Sequence, residues 1–312
     1  MELESILAGV TAGAPRALGK ALSLVESGGA RGRELLRGLP PPAGWVPTVG
    51  FTGPPGSGKS TLIEQVGLSL LERGERVAVL AVDPSSPFSG GALLGDRLRM
   101  PRLVARGGFV RSLATRGSLG GLAAACADCL ELLRAAPFSW VLVETIGVGQ
   151  DEVDVASVVD TVVLLQVPGL GDEVQLAKAG VMEVAHVFVV NKKDQPGAED
   201  LVRMLQALLP SPSPQTWRPP VVPVQATTGE GVEELLAALQ AHQRFLADHG
   251  HREELRWQRA ERRLASVLAA MLQQKARSQR QVWQEAVGAV AFGREDVVSA
   301  AEKLLQYLRE QP

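Results

Sequence analysis

Asparagine occurs once in this 312-residue chain, tyrosine once, cysteine twice and histidine four times. Each scarcity removes a class of protein. Two cysteines cannot build a disulfide framework. With only four histidines beside them, they leave little material for a Cys/His metal centre. No apolar run reaches the roughly 18 residues that a membrane-spanning helix needs. A net charge of −2 and a pI near 6.2 give no support for nucleic-acid binding. The start, Met1-Glu2-Leu3-Glu4, lacks the basic residues that open a signal peptide. The expectation is a cytoplasmic protein with neither nucleic acid nor membrane as partner.

What the chain does have is apolar material, 46% of its residues, enough for a sizeable core. Strand candidates lie at 46–52, 76–82, 108–113, 139–144, 161–167, 185–190 and 221–224, most of them largely continuous apolar runs. Helical patterns alternate with them. A strand apolar on both faces belongs to a covered, parallel sheet. The predicted fold is therefore α/β, a mostly parallel sheet flanked by helices. Residues 1–39 add two short helical patterns, with Leu3, Ile6, Leu7 and Val10 on one face and Leu18, Leu22 and Val25 on the other. Leu39-Pro40-Pro41-Pro42-Ala43-Gly44 then punctuates the chain, and Pro210-Ser211-Pro212-Ser213-Pro214 reads as a loop. From His251 onward the pattern is helical throughout. One stripe there holds Leu264, Val267, Leu268, Met271 and Leu272; another holds Val297, Ala301, Leu304, Leu305 and Leu308. Packing on the parent domain and pairing with a second copy explain these stripes equally well.

The strand candidate 46–52 runs into Gly53-Pro54-Pro55-Gly56-Ser57-Gly58-Lys59-Ser60, followed by Thr61 and a helical pattern. This fits G-x-x-x-x-G-K-[ST] at every position. Glycines let the backbone curl so that its N–H groups converge, and the helix start adds its dipole. In such a cradle Lys59 reaches the outer phosphates and the Ser60 hydroxyl ligates Mg²⁺.

The single asparagine opens Asn191-Lys192-Lys193-Asp194, directly after the apolar run 187–190. N-K-x-D at a strand's carboxyl end is a guanine reader. Asp194 would accept hydrogen bonds from the ring N–H and exocyclic amine of guanine. Adenine offers neither donor there and would leave a carboxylate unpaired, which such sites penalise heavily. The Lys192 stem can lie along the base, and the Asn191 amide can brace the phosphate loop. The expected ligands are therefore GTP and GDP with Mg²⁺.

Carboxylates follow the other strands. Asp83 ends a strand expected beside the phosphate-loop strand, where it faces the ligand crevice. Glu144 opens Glu144-Thr145-Ile146-Gly147, with the carboxylate near the metal and the Gly147 N–H near the γ-phosphate. Asp96 lies on a glycine-rich loop. The metal candidates are thus Ser60, Asp83, Asp96 and Glu144. Val148 stands where a glutamine would orient the attacking water, so unassisted hydrolysis is expected to be slow and a partner to complete the site. Cys126 and Cys129 fall in a helical pattern and read as small buried residues.

Taken together the motifs resemble those of the MeaB/ArgK-type GTPases, G-protein chaperones of adenosylcobalamin-dependent acyl-CoA mutases such as methylmalonyl-CoA mutase. The residues that carry the resemblance are Gly53–Thr61, 81–97, 111–117, 143–150, 168–173 and Asn191–Asp194. The resemblance implies that Asp83, Asp96 and Glu144 are metal-site and catalytic carboxylates. It implies that Lys59 and Lys178 are catalytic, Lys178 on a switch segment at 171–180. It implies that Gln225, Ala226 and Thr227 close over the guanine. It also implies a homodimer that gates cobalamin loading and protects an acyl-CoA mutase. The corresponding segments are an N-terminal helical part, 1–45, a P-loop GTPase domain, 46–248, and a C-terminal helical dimerisation arm, 249–312. Two departures stand out: Val174-Gln175-Leu176-Ala177-Lys178 replaces the usual Leu-Gln-Gly-Ile-Lys, and Ser118 stands where histidine is common. Two other readings remain open, a GTPase for nickel insertion into a metalloenzyme and a P-loop kinase.

Overall fold

Strands built from unbroken runs of valine, leucine and phenylalanine have no polar face, so both sides must be covered. The computed structural model describes residues 2–83, 100–114, 121–145, 157–169, 184–209, 211 and 216–310. Among the described residues seven strands form one sheet: β1 (Thr48–Thr52), β2 (Val77–Asp83), β3 (Phe109–Ala114), β4 (Trp140–Glu144), β5 (Thr161–Gln166), β6 (Val187–Val190) and β7 (Val221–Pro223). Their order is β3-β2-β4-β1-β5-β6-β7, with parallel ladders throughout. The chain thus adopts the predicted α/β fold, each strand within about two residues of its apolar run.

The helices of this first unit, Met1–Arg256, are α1 (Leu3–Thr11), α2 (Pro15–Glu26), α3 (Ala30–Arg37), α4 (Lys59–Glu72), α5 (Pro101–Ala105), α6 (Gly121–Ala135), α7 (Ala198–Leu208) and α8 (Val232–Asp248). Alternate strand residues point to opposite faces. Val77 and Val79 accordingly join one core with Leu62, Ile63 and Val66 of α4 and Leu235, Leu236 and Leu239 of α8. Ala78, Leu80 and Val82 join the other, with Ile6, Leu18, Leu22 and Leu35 of α1–α3 and Leu130 and Leu133 of α6. The N-terminal helices are thus part of the sheet's own cover. Cys126 and Cys129 lie in this second core, and burial pushes the Cys126 thiol up to about 12 and the Cys129 thiol well above its usual range.

Two expectations change. The strand carrying Asp83 does not lie beside the phosphate-loop strand: β4 sits between β2 and β1. The β1–α4–β2 crossover leaves a gap that β4 fills later in the chain, and sequence order does not reveal this. The first 39 residues hold three helices rather than two. The third, α3, is only eight residues long and strongly charged (Ala-Arg-Gly-Arg-Glu-Leu-Leu-Arg), with Leu35 as its buried leucine.

The second unit, Trp257–Pro312, comprises most of α9 (His251–Ser278) together with α10 (Arg280–Ala291) and α11 (Val297–Glu310). Ala276 and Leu308 are buried, and the Lys275 ammonium donates to the Leu308 carbonyl at 3.4 Å. Trp257, Leu264, Leu268, Met271, Phe292, Val297 and Val298 are exposed. No helix among the described residues is long and apolar enough to cross a membrane.

Candidate nucleotide site

The central strand β1 leads into the glycine loop. Ser57 N–H donates to Pro54 O at 3.2 Å, which closes the loop's turn. Gly58, with a left-handed φ of 89°, stands at the N-cap of α4 and, being glycine, offers no side-chain cap to that helix. The first N–H groups of α4 are therefore left without intrahelical partners, the ordinary condition for holding an anion. Lys59 is buried, and its ammonium donates to Gly53 O at 2.7 Å and Pro54 O at 3.0 Å, bracing the loop from inside. Pro55, Gly56 and Thr61 are exposed around it. Gly53 cannot be replaced, because a Cβ there would lie 2.4 Å from the Leu165 carbonyl of β5.

Because β4 adjoins β1, with Glu144 opposite Phe51, the buried Glu144 carboxylate accepts a hydrogen bond from the Ser60 hydroxyl. Thr145, to which sequence reasoning gave no task, holds this corner. Its N–H and hydroxyl both donate to Phe51 O, at 3.1 and 3.2 Å. Only its position next to Glu144 could have pointed to it. Asp83 ends β2 two positions beyond Ala81, which is opposite Glu144. Two buried hydroxyls here, Thr52 Oγ1 and Ser57 Oγ, have no hydrogen-bond partner among the described residues. Buried polar atoms are nearly always paired, so this pair marks a site shaped for a polar ligand.

Asn191 follows β6. Its Nδ2 donates to Ser57 O at 2.6 Å across 134 positions of chain, and its Oδ1 accepts from Ala226 N–H at 3.0 Å. Its own N–H donates to Gln166 O at 2.8 Å. One buried carboxamide thus holds the phosphate loop and the 225–230 loop in register. Lys192 takes a left-handed φ of 59°, the only non-glycine residue to do so among the described residues. Such a backbone is uncommon for lysine and is held by its surroundings. The Asp194 carboxylate is exposed beside it, Gln225 is half-buried, Ala226 is buried and Thr227 is exposed. The structure therefore gathers Gly53–Thr61, Glu144, Asn191–Asp194 and Gln225–Thr227 around one end of the sheet. Asp96, Gly147 and Lys178 lie outside the described residues.

A parallel sheet with a glycine loop after its central strand, a carboxylate on the adjoining strand and an Asn-Lys-x-Asp turn on the other side defines a P-loop GTPase. The family model for the methylmalonyl-CoA mutase-associated GTPase MeaB matches residues 18–281, and the chain belongs to that family. A relative in Pyrococcus horikoshii is 40% identical over 309 residues, covering 97% of this chain and 98% of its own length. The GTPase ArgK of Escherichia coli is 37% identical over 253 residues, covering 78% of this chain and 76% of its own. The crystal structure of an LAO/AO transport system kinase superposes with a TM-score of 0.67 at 26% identity, covering 98% of this chain and 97% of the other.

Proposed function

We propose that this GTPase is a guanine-nucleotide switch that gates cobalamin loading and protection of an adenosylcobalamin-dependent acyl-CoA mutase, and that it works as a homodimer. The observation that carries the nucleotide reading is the Asn191 carboxamide, which ties Ser57 to Ala226 and so couples the phosphate cradle to the base loop. In this reading the N–H groups of Gly53–Thr61 and the Lys59 ammonium hold the β- and γ-phosphates. Asp194 accepts from the guanine ring N–H and amine, Lys192 lies along the base, and Gln225–Thr227 close over it. ATP is rejected because Asp194 would be left facing adenine without a donor.

The Ser60 hydroxyl and Glu144 carboxylate, already in contact, form an all-oxygen donor set that suits Mg²⁺, with Asp83 and Asp96 as further ligands. Bound Mg²⁺ neutralises charge developing on the transferring phosphoryl group. Asp96, Glu144 and Lys178 are the remaining catalytic candidates, and Gly147 N–H is the γ-phosphate contact. The nickel-insertion reading has less behind it, since Cys126 and Cys129 are enclosed in the core with their thiols held protonated.

The mutase supplies what Val148 does not. Unassisted hydrolysis is expected on the order of 10⁻⁴–10⁻² s⁻¹, rising when the mutase that this protein serves is added. Single-turnover GTP hydrolysis with and without a purified adenosylcobalamin-dependent acyl-CoA mutase tests this. A rate indifferent to any such mutase would reject the partnership. The exposed apolar residues of 257–298 would pair with those of a second copy, the commonest closed assembly. Sedimentation of the full chain as a monomer at micromolar concentration would reject the dimer.

A further inference from the structure

Lys193 is the member of the Asn-Lys-Lys-Asp tetrad that the base-reading scheme leaves without a task. Its ammonium lies 2.6 Å from Oε1 of Glu230, the last residue of the 225–230 loop. That loop closes on itself. Gln225 N–H donates to Glu230 O at 2.9 Å, and the N–H groups of Thr228 and Gly229 both donate to Gln225 O, at 3.1 and 2.9 Å. Glu230 N–H donates to Thr228 Oγ1 at 3.4 Å. The loop is joined to the tetrad at its stem by Ala226 N–H to Asn191 Oδ1 and by Lys193 N–H to Val224 O at 3.0 Å. The Lys193–Glu230 pair adds a third tie, to the residue that pairs with Gln225 where the loop closes.

We propose that the Lys193–Glu230 ion pair is a latch that holds the 225–230 loop against the tetrad and thereby slows the release of guanine nucleotide. This rests on the guanine-site reading above. Lys193 is a positioning residue, acting on the base through the loop rather than by contact. The pair is partly solvated, with the two side chains 27% and 61% exposed. Exposed pairs contribute modestly, so the expected effect on nucleotide lifetime is about twofold to fivefold. Such an effect appears in the off-rate and weakens with salt.

The test is stopped-flow release of N-methylanthraniloyl-GDP from the full chain. At low ionic strength Lys193→Met and Glu230→Gln should each release it about two to five times faster than the wild-type protein. The charge-swapped double variant, Lys193→Glu with Glu230→Lys, should return toward the wild-type rate. In about 1 M salt all four proteins should converge, because the screening length there is about 3 Å. Wild-type release rates in both single variants at low salt would overturn the latch. So would an acceleration that persists in high salt or that the swap does not relieve, since that pattern belongs to packing rather than to a charge pair. If the wild-type protein fails to bind the probe at all, the guanine reading falls and the latch with it. If it binds and the variants release normally, only the latch falls.

Discussion

At the carboxyl ends of β1, β4 and β6 the chain is glycine, hydroxyl, carboxylate and a lysine in the left-handed region. At the amino ends of the same sheet it is aromatic rings and closed hydrogen bonds. There the Thr161 hydroxyl, at the start of β5, bonds His242 Nδ1 at 2.8 Å and accepts from Gln243 Nε2 at 2.9 Å. Gln243 Oε1 accepts from Trp45 Nε1 at 2.8 Å. The rings of His186 and His242 stand 4.4 Å apart, and Trp217 lies 4.8 Å from His242 and donates to His186 O at 2.7 Å. Asp160 Oδ2 accepts from both the N–H and the hydroxyl of Thr48, at 2.6 and 2.9 Å. At the amino end these side chains pair with one another; at the carboxyl end the Thr52 and Ser57 hydroxyls have no hydrogen-bond partner among the described residues, and a glycine stands at the start of α4. Native proteins concentrate strain and unpaired groups where ligands act. Substitutions at the carboxyl end should therefore cost activity with little stability, and perturbations at the amino end the reverse.

The largest expected effect is at Lys59. Lys59→Ala should lower GTP hydrolysis by at least about 100-fold, the usual cost of losing a charge-stabilising donor. The melting midpoint should stay within about 4 °C, corresponding to roughly 1 kcal/mol or less. Hydrolysis and calorimetry on the same preparation check both halves. Full activity in this variant would break the phosphate-cradle assignment, and a collapse of stability would break the comparison. Next comes Asp194→Asn. In the proposed guanine reading it removes a charged acceptor for two hydrogen bonds, each worth about 1.5–3 kcal/mol. GTP affinity should fall by about 10²-fold or more, and xanthosine triphosphate should gain, as competition titrations would show. Unchanged GTP preference would mean that the base is read elsewhere.

The smallest effect sharpens the other end. Burial holds the His186 imidazolium constant down at about 4 and that of His242 at about 3, from 6.5. The unfolded chain therefore binds protons that the folded chain does not. The stability associated with these neutral rings is complete above about pH 6.5 and is lost as the pH falls toward the folded values, at up to about 1.4 kcal/mol per unit for each group. Urea unfolding at pH 7.5 and pH 5.5 should show a loss of order 1–3 kcal/mol. A flat profile would mean that these rings are not enclosed as described.

Much of this was legible in the sequence for a physical reason. The phosphate loop and the guanine tetrad are local; their chemistry depends on spacing within about ten residues. The largely apolar strand runs announced a covered parallel sheet because such runs have little polar face to expose. What was not legible is what the sheet order decides. That Glu144, and not Asp83, stands next to the loop's strand depends on β4 entering the gap left by the first crossover. The aromatic end was invisible for the same reason. Trp45, His186, Trp217 and His242 come from four separate parts of the chain, and nothing in their local sequence draws them together. Lys193 and Glu230 are likewise an ordinary pair of charges until β6 and β7 lie side by side.

Asn191 has one further consequence. A Cβ placed on Gly58 would fall 2.3 Å from the Asn191 Nδ2 atom. The carboxamide occupies the volume that the glycine gives up, so the two motifs interlock like tenon and mortise. A single methyl at position 58 would expel the amide that also holds Ala226. Its damage would not stay within the phosphate loop; it would reach the base loop at the same moment. Restoring such a variant calls for a smaller residue at 191, which would forfeit the link from Ser57 to Ala226. Even then the left-handed backbone of Gly58 would strain any side chain, so position 58 is held to glycine both by its φ of 89° and by Asn191.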